Sequence, residues 1–264
     1  MSKRTQITEY ITFAHELADQ AGAAILPYFR RRLRVQNKAA SGFDPVTAAD
    51  RAAERVISKA LAARYPDHGL EGEEYGLRNE DAPFRWVVDP IDGTRAFITG
   101  MPLWGTLIGL MDGDTPVIGL MDQPYTRERF WSGEKASFIR SADGTERRLK
   151  TRACTSLAEA VLTSTDPAMF SSPREMRAFN AVKSRVRLVR YGGDCYAYCL
   201  LAAGHIDIVI ESGLKPYDVT ALIPIIERAG GRITTWDGKP AARGGRVIAA
   251  GDPRVHEEAL ALLT

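Results

Sequence analysis

The sequence predicts an α/β protein in two unlike halves, an α+β N-terminal half followed by an α/β C-terminal half. Three observations predict it. Two amphipathic helical stretches open the chain, a series of β-type segments joined by short polar turns follows, and beyond a charged stretch around 141–152 strands and helices alternate to the end.

Residues 6–33 read as the first helix, with "RRRLR" at Arg30 to Arg34 closing it where cations suit the helix dipole. A second helix is expected over 47–64, because Ala53, Val56, Ile57, Ala60 and Leu61 recur at helical spacing; the polar stretch "KAASGFDPV" between the two reads as a loop. A strand at 84–88 ends at "DPIDGT", where Pro90 removes a donor and is expected to stop the ladder. "LWGTLIGLMDGDTPVIGLM" reads as two strands meeting near Asp112 and Gly113, and "ERFWSGEKASFI" as one more.

The later half reads as strand "AVLTST", a helix near 173–183, strand "VRLVRYG", helix "DCYAYCLLAAG", strand "HIDIVIE" and helix "VTALIPIIERAGG", then further strands and a last helix. Gly230 and Gly231 form a helix stop. The division is placed at 1–140 and 141–264, with "DPIDGT" in the first part and "ESGLKPYD" in the second. No flexible linker separates them, so one shared cleft is expected.

Composition excludes several function classes. At 264 residues with 45% hydrophobic and 26% charged, the chain reads as globular. A net charge of +2 gives no basic field for nucleic acid, and no apolar run suits a membrane span or a signal segment, so a cytoplasmic protein is expected. Three cysteines are an odd number for a disulfide framework; Cys195 and Cys199, one helical turn apart, read as reduced core thiols. Four scattered histidines offer little to zinc.

The chemistry gathers on carboxylates. Asp89 and Asp92 flank Pro90 at a strand end, which taken alone equally describes a turn capped by Asp92 or Thr94. Glu73 and Glu74 precede that strand, and Asp218 opens a helix. If three of these converge, each like-charge pair at ~5 Å costs roughly 3 kcal/mol at an effective dielectric of about 20, so the cluster calls for a cation. Oxygen ligands without imidazole or thiolate favour Mg²⁺. Gly93 and Thr94, entering a helix, can offer backbone N–H groups to a phosphate. Metal and phosphate together point to phosphoester hydrolysis.

These segments, "DPVTAAD" (44–50), "GEE" (72–74), "DPIDGT" (89–94), "GGDCYAY" (192–198) and "ESGLKPYD" (211–218), together resemble the inositol monophosphatase superfamily. The resemblance implies the layered αβαβα sandwich of the inositol monophosphatase and fructose-bisphosphatase type, usually a homodimer. It implies two or three Mg²⁺ per subunit held by Glu73, Asp89, the Ile91 carbonyl, Asp92 and Asp218, with Asp50 near a third ion and Asp92, Gly93 and Thr94 on the phosphate. It implies in-line attack by a water activated by metal, Glu73 and Thr94, without a phosphoenzyme. Asp50 also reads as the N3 residue of a capping box with Thr47 as N-cap. Glu74 reads as a helper or an exposed acid.

"LKPYD" and "GGDCYAY" depart from the common pattern and resemble the histidinol-phosphate phosphatase branch. Gly193, Asp194, Glu211 and Asp218 are then expected to meet the substrate. Asp194 and Glu211 would suit the ammonium of histidinol phosphate better than a neutral inositol ring. Asp194 also reads as a helix N-cap and Glu211 as a solvated strand-end acid. Inositol 1-phosphate is the alternative substrate, other small phosphomonoesters follow, and partnership with the transcription machinery is a reading of a different class. A haloacid-dehalogenase-type phosphatase would place its two aspartates two apart after an early first strand, whereas here they are three apart and far into the chain.

Overall fold

The computed structural model describes residues 3–32, 35–37 and 45–264, and the side chains of these apart from residues 3, 4 and 45. Asp44 and most of the 38–46 loop lie outside them. In chain order the elements are α1 (Lys3–Ile25), β1 (Gln36–Asn37), β2 (Pro45–Val46), α2 (Ala48–Arg64), β3 (Gly69–Gly72), β4 (Gly76–Arg78), β5 (Phe84–Asp92), α3 (Thr94–Ile98), β6 (Gly105–Asp112), β7 (Thr115–Gln123), β8 (Glu128–Ser132), β9 (Ser137–Arg140) and β10 (Glu146–Arg148). Then come β11 (Val161–Ser164), α4 (Pro173–Lys183), β12 (Leu188–Tyr191), α5 (Asp194–Ala202), β13 (Ile208–Leu214), α6 (Pro216–Val219), α7 (Leu222–Ala229), β14 (Arg232–Thr235), β15 (Gly245–Ala250) and α8 (Pro253–Leu263).

Two sheets carry the architecture. The first has eight strands in the order β10-β9-β8-β7-β6-β5-β3-β4, antiparallel except where β3 runs parallel to β5. The second has five, β12-β11-β13-β15-β14, with parallel pairs at β11. Helices α1 and α2 cover one face of the first sheet; α5, α6 and α7 fill the space between the sheets; α4 and α8 close the far side of the second. These are the five layers of an αβαβα sandwich, and three buried apolar clusters occupy the spaces between them. Among the described residues no helix is long and apolar enough to cross a membrane.

The structure corrects the sequence reading at three places. Helix α1 stops at Ile25 rather than near 33: Pro27 disfavours helical backbone at Leu26, the following residues form turns, and Arg30 adopts φ +58° with its guanidinium on the Gly100 carbonyl. The strand expected at 84–88 continues through Pro90 to Asp92, because a register shift between Asp89 and Asp92 lets the ladder pass the missing donor. The segment 128–139 is a hairpin, β8 and β9, folded at Gly133, not one strand.

The middle layer sits close to the first sheet because Gly109 on β6 and Gly119 on β7 face it. A β-carbon on Gly119 would lie 1.7 Å from the Ala221 carbonyl oxygen, so only glycine lets the α6–α7 junction approach β7 this closely. That approach carries Asp218 towards the end of β5.

Candidate active site

Strand β5 delivers the first acids. Asp89 is 2% exposed and its Oδ1 accepts from the Ile91 N–H at 3.0 Å, a tight turn that closes the β5 end. Asp92 accepts from the Cys195 N–H on α5 at 2.6 Å, and Asp218 accepts from the Lys215 N–H at 2.7 Å. Side-chain oxygens of Asp89, Asp92 and Asp218 lie within 4.8 Å of one another.

A second group stands beside them. Asp50, Glu73 and Glu74 also bring oxygens within 4.8 Å of each other. Thr47 caps α2, and its N–H and hydroxyl both donate to Asp50 Oδ2, at 2.8 and 2.6 Å; Asp50 Oδ1 is buried without a hydrogen-bond partner among the described residues. The capping box and the convergence with Glu73 are therefore both present in one residue. The Glu74 side chain is only 3% exposed, which removes the reading of it as an exposed acid.

Electrostatics connects the two groups. Burial, then the charges of Glu73, Asp92 and Asp218, push the Asp89 carboxyl well above the ordinary range. Burial, then Asp194 and Asp218, do the same to Asp92. Asp218 is pushed up to about 7 by burial, with Glu73 and Glu211 adding to it; Asp50 is pushed up to about 6 by burial, with Glu74 and Glu73 adding. The three charges that act most on Asp89 are all negative. An all-oxygen donor set, mutually repelling and holding an unpartnered buried oxygen at Asp50, fits a hard divalent cation.

Beside the acids the backbone turns at Gly93, whose φ is +88°. A β-carbon there would lie 3.0 Å from the Leu103 carbonyl oxygen and 3.2 Å from the Asp194 carboxyl carbon. Glycine is needed for both the conformation and the contact. Thr94 begins α3, whose first-turn N–H groups have no intrahelical acceptor, and its hydroxyl donates to the Ile91 carbonyl at 3.1 Å.

A cavity of about 500 Å³ opens from this turn, lined by Asp92, Gly93, Thr94, Arg95, Asp194 and Asp218 among others. Gly193, Asp194 and Glu211 all line it. Asp194 is not the N-cap: Gly193 holds that position, and Asp194 is the first helical residue at φ +44°, its carboxyl against Gly93. Burial pushes it up to about 6, opposed by the charge of Arg95. Glu211 is not a solvated acid either. It is 3% exposed and accepts from the Thr165 N–H at 3.0 Å, the Thr165 hydroxyl at 2.5 Å and the Tyr198 hydroxyl at 3.0 Å, with burial pushing it up to about 7.

The model of the inositol monophosphatase family matches residues 6–264. The chain belongs to the inositol monophosphatase family. It is 42% identical over 267 aligned residues to a protein of Arabidopsis thaliana named bifunctional phosphatase IMPL2, chloroplastic, covering 97% of this chain and 75% of that one. It is 34% identical to a histidinol-phosphatase of Streptomyces coelicolor, covering 96% of each. Among solved structures, an inositol monophosphatase from Zymomonas mobilis superposes with a TM-score of 0.87 at 39% identity, covering 100% of this chain and 99% of that one. As an inositol monophosphatase family member the chain is a metal-dependent phosphatase, and the two acidic groups are where its residues can hold metal.

Sequence reasoning missed four contributors to this inositol monophosphatase family site. Glu54 on α2 is fully buried and accepts from the N–H groups of Glu74 and Tyr75 at 2.8 and 3.0 Å, pinning the turn that carries Glu73. Its signal was an acid among the apolar positions Ala53, Ile57 and Leu61. Arg95 and Asp166 line the cavity, and Tyr198 braces Glu211; none lies at a position that periodicity marks.

Proposed function

We propose that this phosphatase hydrolyses L-histidinol phosphate to L-histidinol and phosphate. The observation that carries the reading is the charge of the cavity outside the metal-holding acids. Asp166, Asp194 and Glu211 line it, and Arg95 is the sole basic residue among the described residues that do. An amino-alcohol with an ammonium group suits such walls better than a neutral polyol. The histidinol-phosphatase relative supports the same choice.

In this reading Glu73, Asp89, the Ile91 carbonyl, Asp92 and Asp218 hold Mg²⁺, with Asp50 beside them. Mg²⁺ there supplies Lewis-acid polarisation of the phosphoryl oxygens and offsets the charge of the acids. The N–H groups of Gly93 and Thr94 take phosphate oxygens at the helix start. Because the Thr94 hydroxyl donates its proton to the Ile91 carbonyl, its oxygen is left as an acceptor that can orient a water. Glu73 accepts the proton of that water as its oxygen bonds to phosphorus in line. The ester oxygen departs on the opposite side with the bonding pair and takes a proton from solvent water to become the alcohol, with no phosphoenzyme.

The test compares Mg²⁺-dependent phosphate release from L-histidinol phosphate and inositol 1-phosphate by the wild type and Asp194→Asn, a substitution that tolerates left-handed backbone. The reading expects histidinol phosphate to be preferred, and the preference to weaken in the variant. A wild-type preference for inositol phosphate would make the chain an inositol monophosphatase in activity as well as in family.

A further inference from the structure

The five carboxylates that line the cavity are not equivalent, and sorting them by what already occupies their oxygens singles one out. Asp92 and Asp218 belong to the metal-holding group. Glu211 is buried, and three donors already use its oxygens. Asp194 is offset by Arg95. Asp166 remains. Its Oδ1 caps the 3₁₀ turn Pro167–Met169 through the Ala168 N–H at 2.9 Å, while its other oxygen takes no hydrogen bond from any described residue.

The position of Asp166 is fixed from behind. It follows Thr165, whose N–H and hydroxyl are both held by buried Glu211, and whose carbonyl accepts from the Gly192 N–H at 3.0 Å. The same Gly192 leads into Gly193 and Asp194. Glu211 therefore serves the cavity indirectly, as the post on which the β11 end and the α5 start are both aligned. Asp166 itself is half-buried in the cavity wall. A rigid, half-satisfied carboxylate loses little entropy on accepting a cationic donor, and charge-assisted hydrogen bonds are the stronger kind.

We propose that Asp166 is a specificity-determining residue that accepts a hydrogen bond from the cationic nitrogen in the alcohol part of the substrate. The ligand class is a phosphomonoester of an amino-alcohol, and the proposal rests on the histidinol phosphate reading above. The bland role, an N-cap and nothing more, makes a different prediction, because asparagine caps as well as aspartate but carries no charge.

The experiment measures kcat/KM with Mg²⁺ for L-histidinol phosphate and inositol 1-phosphate in wild type, Asp166→Asn and Asp166→Ala. L-histidinol inhibition and thermal melting are followed in parallel. In Asp166→Asn the ratio of the two kcat/KM values falls about five- to tenfold, mainly through KM, and L-histidinol inhibits correspondingly more weakly while the melting temperature holds. A ratio within about twofold of wild type in Asp166→Asn overturns the proposal, and does so even if Asp166→Ala is impaired, since the cap alone then explains the residue. The wild-type ratio by itself tests the substrate reading. A wild type that prefers inositol phosphate sinks that reading, while a shift of the ratio in Asp166→Asn still reports charge recognition by Asp166.

Discussion

At the end of β5, Asp89 is buried among other acids, whereas two strands away on β7 Asp122 is buried against an arginine. Arg129 Nε meets Asp122 Oδ1 at 2.7 Å, its Nη2 reaches Asp19 Oδ1 at 2.7 Å, and its Nη1 reaches the His15 carbonyl at 3.3 Å. Both side chains of the Asp122–Arg129 pair are almost fully buried. That network carries its own counter-charge and is complete as folded. The β5 group has no such partner: among the described residues only Lys215 adds a positive field, at Asp218, while the charges that act most on Asp89 are negative, so most of its counter-charge is expected from a bound cation. Burial of charge on one sheet thus serves cohesion at one site and ligand capture at the other, and the difference lies in whether the sequence supplies the cation.

The largest effect that would break this comparison is expected at Asp89. Asp89→Asn lowers kcat/KM on the order of 10³-fold, and abolishes the rise in melting temperature that Mg²⁺ gives the wild type. Without Mg²⁺ the same variant melts no lower than wild type, because a repelling charge has been removed. A clear metal-free loss of stability would show that Asp89 is held for cohesion after all. Chemical denaturation and steady-state kinetics read both quantities.

Next comes the closed network. Arg129→Met leaves Asp122 buried and unpaired, and is expected to cost about 3–5 kcal/mol in denaturation, with kcat/KM below the melting transition close to wild type. If stability were unaffected and Mg²⁺ dependence changed instead, the two sites would not be separable.

The smallest effect sharpens the comparison in pH. His256 is fully buried, its Nδ1 has no hydrogen-bond partner among the described residues, and burial lowers its pKa to about 4 from an ordinary 6.5. Between those values the unfolded chain binds a proton that the folded one does not. Stability therefore rises with pH across that window, and is lost as pH falls from 6.5 towards 4. His256→Gln is expected to flatten the slope, by up to roughly 3 kcal/mol over the whole window, as measured by denaturant titrations at stepped pH. An unchanged slope would place the acid sensitivity in the carboxylates.

Much of the site was legible because its residues lie on short contiguous motifs. Asp89, Asp92, Gly93 and Thr94 share one strand end and Asp218 opens a helix, so their clustering suggested a site, and the family resemblance added their roles and Glu211. What stayed hidden depends on register and docking. Glu54 reaches Glu74 across twenty positions, which no local pattern reports. Asp166 follows an ordinary strand and reads as a turn residue until the second sheet is in place. The continuation of β5 past Pro90 escaped because a bulge between Asp89 and Asp92 lets the pairing with β6 resume beyond the proline, which no local pattern reports. The early stop of α1 was written in Pro27, but the basic run after it imitated a helix end.

The bond from the Cys195 N–H to Asp92 ties residue 195 to residue 92, and the α6 aspartate enters from further still along the chain. During synthesis the β5 acids leave the ribosome more than a hundred residues before Asp218 does. Until then they are separate carboxylates on an incomplete sheet, each free to stay hydrated. The Asp89–Asp92–Asp218 group is complete only once α6 is in place, so ion uptake at that group is expected to mark a late step of assembly rather than to nucleate it.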